Sequence, residues 1–150
     1  MNRFSRIGLL FILVLLAQVS CSGKKGAKRP GALPANVRVY QLPQNTVWKA
    51  VINTVQYDFL LSFELLDEKR GHFSTEMVRD YQPNQKSKFR LSGTLTFDGR
   101  GIIVTLYKHQ QIEVGGEWKT LGSNLSLENS ILESVTKKLQ SLGPLAPAKP

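Results

Sequence analysis

Three kinds of side chain in this sequence carry chemistry that acts on other molecules. They are one thiol, Cys21; two imidazoles, His72 and His109; and carboxylates that fall close together at Asp67 and Glu68 and at Glu113 and Glu117. A thiolate is a nucleophile or a metal ligand. Histidine beside a carboxylate moves protons or holds zinc. The spacings argue against each of these uses. Asp67 and Glu68 are neighbours in a presumed strand and so point to opposite faces. Glu113 and Glu117 flank Gly115 and Gly116, the pattern of a solvated hairpin turn. Neither histidine stands at a metal-site spacing from an acid, and both read as surface or structural residues. No serine lies in a G-x-S-x-G elbow, and Val114-Gly115-Gly116 is too short to cradle a phosphate. The sequon at Asn124, Leu125 and Ser126 reads as chance. The expectation is a protein that is not an enzyme and has no metal or cofactor.

Cys21 has a different meaning, set by its position. Upstream lie a basic head with Arg3 and Arg6, an uncharged apolar core over residues 7–17, and small or polar residues at 18–20, the plan of a secretory signal. The core is shorter than the roughly 20 residues that a spanning helix needs. A lone cysteine in an exported chain is a free thiol, an intermolecular bridge or a modified residue. The segment "LLAQVSCSGKK" resembles the lipobox of bacterial lipoproteins, with the small Ser20 just before the cysteine. That resemblance implies cleavage before Cys21, acylation there, and a permanent membrane anchor, since two or more acyl chains hold stably where one does not. Ser22, in place of an aspartate, implies by the same analogy an outer-membrane destination facing the periplasm.

The formal charge of +9 over 150 residues invites a nucleic-acid reading, but its distribution opposes it. Seven of the 20 basic residues fall in the signal, in the tail after Cys21 or at Lys149, which leaves 13 against 11 acids, a balance of +2. A near-neutral exported domain is a poor nucleic-acid binder. Residues 1–20 are thus read as signal peptide and 21–35 as the acylated cysteine with a disordered basic tether. Residues 36–143 form one domain, and 144–150 a loose tail. The tether either lies on anionic headgroups or is merely solvated.

Within the domain, "VRVYQLP" predicts a strand ended by Pro43. In "QNTVWKAVINTVQ" the apolar Val47, Trp48, Val51, Ile52 and Val55 form one helical stripe, with Asn45 or Thr46 as the expected cap. "SFELLDEKRGHFSTEMV" predicts two short strands around a turn at Lys69, Arg70 and Gly71. "KFRLSGTLTF" alternates with a period of two, and after a turn at Asp98 and Gly99 "GIIVTLYKHQQIEV" returns with Ile102, Val104 and Leu106 on the same face. Gly115 and Gly116 then turn the chain into "EWKTL". A closing helix carries Leu127, Ile131, Leu132, Val135, Leu139 and Leu142 on one stripe. The expected fold is α+β: a two-layer sandwich in which an antiparallel meander of five to six strands is covered by two amphipathic helices.

This order of elements, with "NTVWKAVINTV", "DEKRGHFSTEMV" and "SLENSILESVTKKL", resembles the helix-grip domains of bacterial lipoproteins such as the BamC-like family, over residues 37–142. That resemblance implies an accessory role beside the machinery that assembles outer-membrane barrels.

With no convergent catalytic set, recognition is the expected task. Trp48 lies within a helix stripe and reads as core. Trp118 is either packed against the closing helix or exposed as a partner anchor. "RDYQPNQKS", with Arg79, Tyr81 and Gln82, reads as the longest polar connection and the other candidate surface. Two functions follow: an interaction or scaffold module of the envelope, or a carrier that encloses a lipid or other apolar ligand between sheet and closing helix. The second rests on Gly93, the small residue in the middle of the apolar face.

Overall fold

The computed structural model describes residues 33–82 and 85–142, apart from the side chains of residues 80–82. The expectations for the signal, Cys21, the tether and the final tail lie outside the described residues. The elements run β1 (Val37–Tyr40), α1 (Gln44–Asn53, continued by a wider π turn at Thr54–Asp58), β2 (Phe63–Asp67), β3 (His72–Thr75), β4 (Val78–Gln82), β5 (Gln85–Phe97), β6 (Ile102–Val114), β7 (Glu117–Leu121) and α2 (Ser126–Ser141). All strands join one antiparallel sheet in the order β1-β6-β5-β3-β2, with β4 also pairing β5 and β7 also pairing β6. The fold is α+β, a sheet with two helices.

Seven strands stand where five to six are expected. The added strand is β4, and the supposed polar connection is a hairpin in which Arg79 pairs with Lys88 and Gln82 with Gln85. Of the described side chains of β4 only Val78 packs against the core while Arg79 is exposed, and the sequence beyond it, Asp80 to Gln85, has no alternation of apolar residues, so the period that reveals a half-buried strand is missing there.

Alternation in β5 and β6 does what its period requires. Leu91, Gly93 and Leu95 pair with residues 108, 106 and 104, and Leu91, Leu95, Val104 and Leu106 are buried on one face. Phe97 continues the pattern in sequence but is 70% exposed, although its cross-strand partner Ile102 is buried. Val47, Trp48, Val51 and Val55 from the first helical segment and Ile131, Leu132, Val135 and Leu139 from α2 complete the core. Leu142, counted in the predicted stripe, is exposed one residue beyond α2.

Phe73 sits at the centre. It is fully buried, with the rings of Phe63 and Trp48 edge-on at 5.6 and 6.3 Å. Its ring occupies the notch left by Gly93: a β-carbon there would collide with the ring and come within 2.9 Å of Leu106 Cδ2. Gly93 thus admits a side chain of the sheet's own, and the notch holds no room for a ligand.

The helix starts differ from the sequence expectation. Pro43 is the N-cap of α1, its carbonyl accepting from the N–H groups of Thr46 and Val47 at 3.0 and 3.1 Å. Its fixed φ suits that position, so Asn45 and Thr46 are already inside the helix and neither caps it. Before α2, Leu125 takes a left-handed φ of 61°, and Asn124 Oδ1 accepts from the Ser126 N–H at 3.2 Å. Tyr40 ties β1 to α2, donating to the Leu132 carbonyl at 3.2 Å and lying 3.0 Å from Thr136 Oγ1. Burial pushes its phenol above the ordinary value, opposed by the Thr136 bond and by Arg38.

Candidate functional site

The two long strands, 13 residues each, outrun the helices. Near their β5–β6 turn they lie between β1 and β3 under helical cover. Towards the other end, over residues 85–90 and 107–114, they lie between β4 and β7, and there the only buried residue among those described is Ser87. Every residue of β7 is exposed. This distal half carries all the residues singled out in the sequence as recognition candidates.

The register brings them onto neighbouring rows. Arg79, Lys88, Gln111 and Thr120 are successive cross-strand partners from β4 to β7. On the next row Tyr81 pairs with Lys86, and Trp118 with Glu113, to which Lys86 is joined by a 3.2 Å ion pair. Arg79 is exposed; the side chains of Tyr81 and Gln82 lie outside the described residues. Trp118 is 43% exposed and takes the Lys88 ammonium over its ring, 4.0 Å from the centroid. Of the two sequence readings for Trp118, exposure on the sheet is the one found, and its partner is Lys88.

The placement of Trp118 has a local cause. Gly115 and Gly116 both take positive φ, 62° and 87°, as a two-residue type I′ turn requires. That turn pairs Val114 with Glu117 and so sets Trp118 opposite Glu113 on the face opposite the helices. The same face bears Lys86, Lys88 and Arg90, with Arg90 paired to Glu64 at 3.2 Å. It also bears Tyr107 and His109, their rings 6.5 Å apart, and His109 Nε2 lies 2.9 Å from Ser92 Oγ. A face of cations and half-exposed rings offers stacking and charge as its contacts. His72 lies in β3, remote from His109 in β6, and among the described residues no three His, Cys, Asp or Glu side chains group as a metal site.

Glu128 was not foreseen. It occupies the buried stripe of α2, three and four residues before Ile131 and Leu132, and is fully buried. β1 pairs with residues 102–105 of β6 and β7 with residues 110–114, so the edge of β6 between them lacks a strand. Asn36 fills part of the gap, its carbonyl accepting from the Leu106 N–H at 3.0 Å and its side-chain amide donating to the Leu106 carbonyl at 2.9 Å. Glu128 Oε1 accepts from the Lys108 N–H at 2.8 Å, while Oε2 has no hydrogen-bond partner among the described residues. A carboxylate within an otherwise apolar helical stripe was the available signal, since that period places it inward.

Clefts flank α2 on both sides. One is lined by Asn45, Lys49, Asn53 and Lys138, the other by Tyr40, Leu42 and Thr136, and both are open to solvent. Lys138 is held by Asp58 at 2.8 Å, which leaves the first cleft without a free cation from α2. Among the described residues no helix is long and apolar enough to cross a membrane. No protein-family model matches the chain, and no curated protein matches it significantly.

Proposed function

We propose that this chain is a lipid-anchored lipoprotein of the bacterial envelope, and that its domain is a non-catalytic interaction module that docks through the distal half of the sheet. The anchor rests on the setting of Cys21 in the sequence, and outer-membrane assembly is the process that the BamC-like resemblance suggests. The observation that carries the docking surface is the projection of β4-β5-β6-β7 beyond the helices, with Trp118 and Lys88 stacked on it. An arm whose described side chains, apart from Ser87, are exposed or only half-buried adds little burial and so contributes little to its own domain's stability. Its rings and cations remain available to a partner. The carrier reading has lost the feature it stood on, because Phe73 fills the Gly93 notch.

The test uses the full chain in cells of a bacterium that exports it. A photo-crosslinking residue is placed at position 79 or 118, and, as a control, at the exposed Glu133 of α2. The reading requires the same envelope proteins to be captured from 79 and 118 but not from 133. Cys21→Ser is expected to move the chain from the membrane to the soluble fraction or to leave its signal uncleaved. Equal capture from all three positions, or membrane retention of a normally processed Cys21→Ser chain, overturns it.

A further inference from the structure

We infer that β7 is an open sheet edge that accepts an extended, acidic segment of another protein as an added antiparallel strand. The inference rests on the reading above that the distal half is where partners dock, and it names the kind of partner.

The backbone geometry fixes what the edge offers. In a hairpin closed by a two-residue turn the flanking pair exchanges both hydrogen bonds, and every second pair thereafter does the same. Val114 with Glu117, Ile112 with Lys119, and Gln110 with Leu121 are therefore the bonded pairs of β6 and β7. The same even-numbered phase of β6 appears where Leu106 and Lys108 bond to Asn36 and Glu128 on this side of the strand. It follows that the N–H and C=O groups of Trp118 and Thr120 point away from the sheet. They form a four-group template with the spacing of one strand. β7 has no proline, whereas the edge strand β2 carries an irregular register between Phe63 and Leu65, a device that blunts pairing.

Charge selects the occupant. The distal half holds six cations, Arg79, Lys86, Lys88, Arg90, Lys108 and Lys119, against Asp80, Glu113 and Glu117. Lys86 is taken by Glu113 and Arg90 by Glu64, which leaves Arg79, Lys88, Lys108 and Lys119 against Asp80 and Glu117, and Lys88 leans over Trp118 towards the edge. A strand laid beside β7, about 4.8 Å away, meets Lys119 flanked by Glu117 and Leu121 on one face and Trp118 with the Lys88 ammonium on the other. Acids at alternate positions satisfy Lys119, and an apolar residue or an acid satisfies Trp118 and Lys88. A second copy fits less well. The symmetric pairing that uses all four outward groups sets Trp118 opposite Thr120 of the other copy and Lys119 opposite its own counterpart, and like charges directly opposed destabilise a sheet pair.

The probe is a random linear decapeptide library displayed on phage, selected on the purified full chain, followed by a synthetic peptide of the enriched consensus. Proline-free, strand-forming sequences with acids at alternate positions are expected. Thr120→Pro deletes an outward N–H that β6 does not use, so the domain keeps its melting temperature while the consensus peptide binds at least about tenfold more weakly. Lys119→Glu, which needs no proline, is expected to reverse the preference towards basic peptides. The proposal is overturned by no enrichment, by neutral or basic consensus peptides, by a Thr120→Pro chain that binds undiminished, or by a concentration-dependent dimer of the full chain that Thr120→Pro abolishes. Should crosslinks from position 118 persist unchanged in cells with Thr120→Pro, the partner lies on the face of the sheet: the interaction module stands and the added strand falls. Absence of any capture from 118 removes both.

Discussion

β5 and β6 belong to two different environments along their length. Over residues 91–95 and 102–106 they are walled by α1 and α2, with Leu91, Leu95, Val104 and Leu106 at or below 3% exposure. Over residues 85–90 and 107–114 the same two strands are lined by cations, glutamines and half-exposed rings, with β4 and the fully exposed β7 as neighbours. Hydrogen bonding is alike in both halves, since the antiparallel ladder runs unbroken from Phe97 to Ser87. The halves differ in burial alone. Because net backbone hydrogen bonding contributes modestly and apolar burial dominates, the backed half sets the stability of the domain and the distal half is carried by it. A surface that contributes little to folding is free to be shaped by what it binds.

The sharpest way to break this comparison is to remove the centre of the backed half. Phe73→Ala leaves a cavity beneath Trp48, Phe63 and Gly93, and the expected loss is about 3–5 kcal/mol, a large part of a typical stability of roughly 5–15 kcal/mol. Urea denaturation of the domain measures it directly. A loss under about 1 kcal/mol, with an unchanged dependence on urea, would show that the aromatic cluster does not anchor the sheet and that the halves are not energetically distinct.

Between the halves, where β1 has ended and β7 has not begun, Glu128 closes the edge of β6. Glu128→Leu keeps the volume but strands the Lys108 N–H, for an expected cost of about 1–3 kcal/mol offset in part by apolar burial. Glu128→Gln retains an acceptor for that N–H and replaces the unpartnered carboxylate oxygen or its neighbour with an amide. Its expected stability lies closer to the parent than that of the leucine variant. If Leu and Gln are equally tolerated, the carboxylate is not what seals the seam.

How much of this was legible in the sequence follows the same division. The backed half is legible, because burial on one face writes a period of two into Leu91 to Leu95 and a period near 3.6 into Val47 to Val55 and Leu127 to Leu139. The distal half wrote no such pattern. β4 therefore reads in sequence as a polar connection, and Arg79, Tyr81, Gln82 and Trp118 stand out only by their polarity and position. That they share one sheet, within three strand spacings of one another, depends on β5 and β6 running on beyond the helices. No local pattern encodes that extension. Glu128 is legible only by its place in the helical stripe, which puts it inside with Ile131 and Leu132. The N-cap of α1 was misplaced because proline's preorganised φ outcompetes the side-chain caps two and three residues later.

The smallest effect tests the distal half itself. Lys88 and Trp118 are in contact, but an exposed cation–π pair contributes only about 0.5–1 kcal/mol. A double-mutant cycle of Lys88→Ala and Trp118→Ala should return a coupling of that size, with each single variant melting near the parent. Hydrogen exchange sharpens the point. The amides of β7 are expected to exchange through local opening, far faster than those of Phe73 or Leu106, which require global unfolding. Both results together place Trp118 where its loss is cheap for the fold and costly for a partner. If Trp118→Ala instead destabilises by several kcal/mol and slows no binding, the ring belongs to the scaffold, and the division between a half that folds and a half that docks has been drawn in the wrong place.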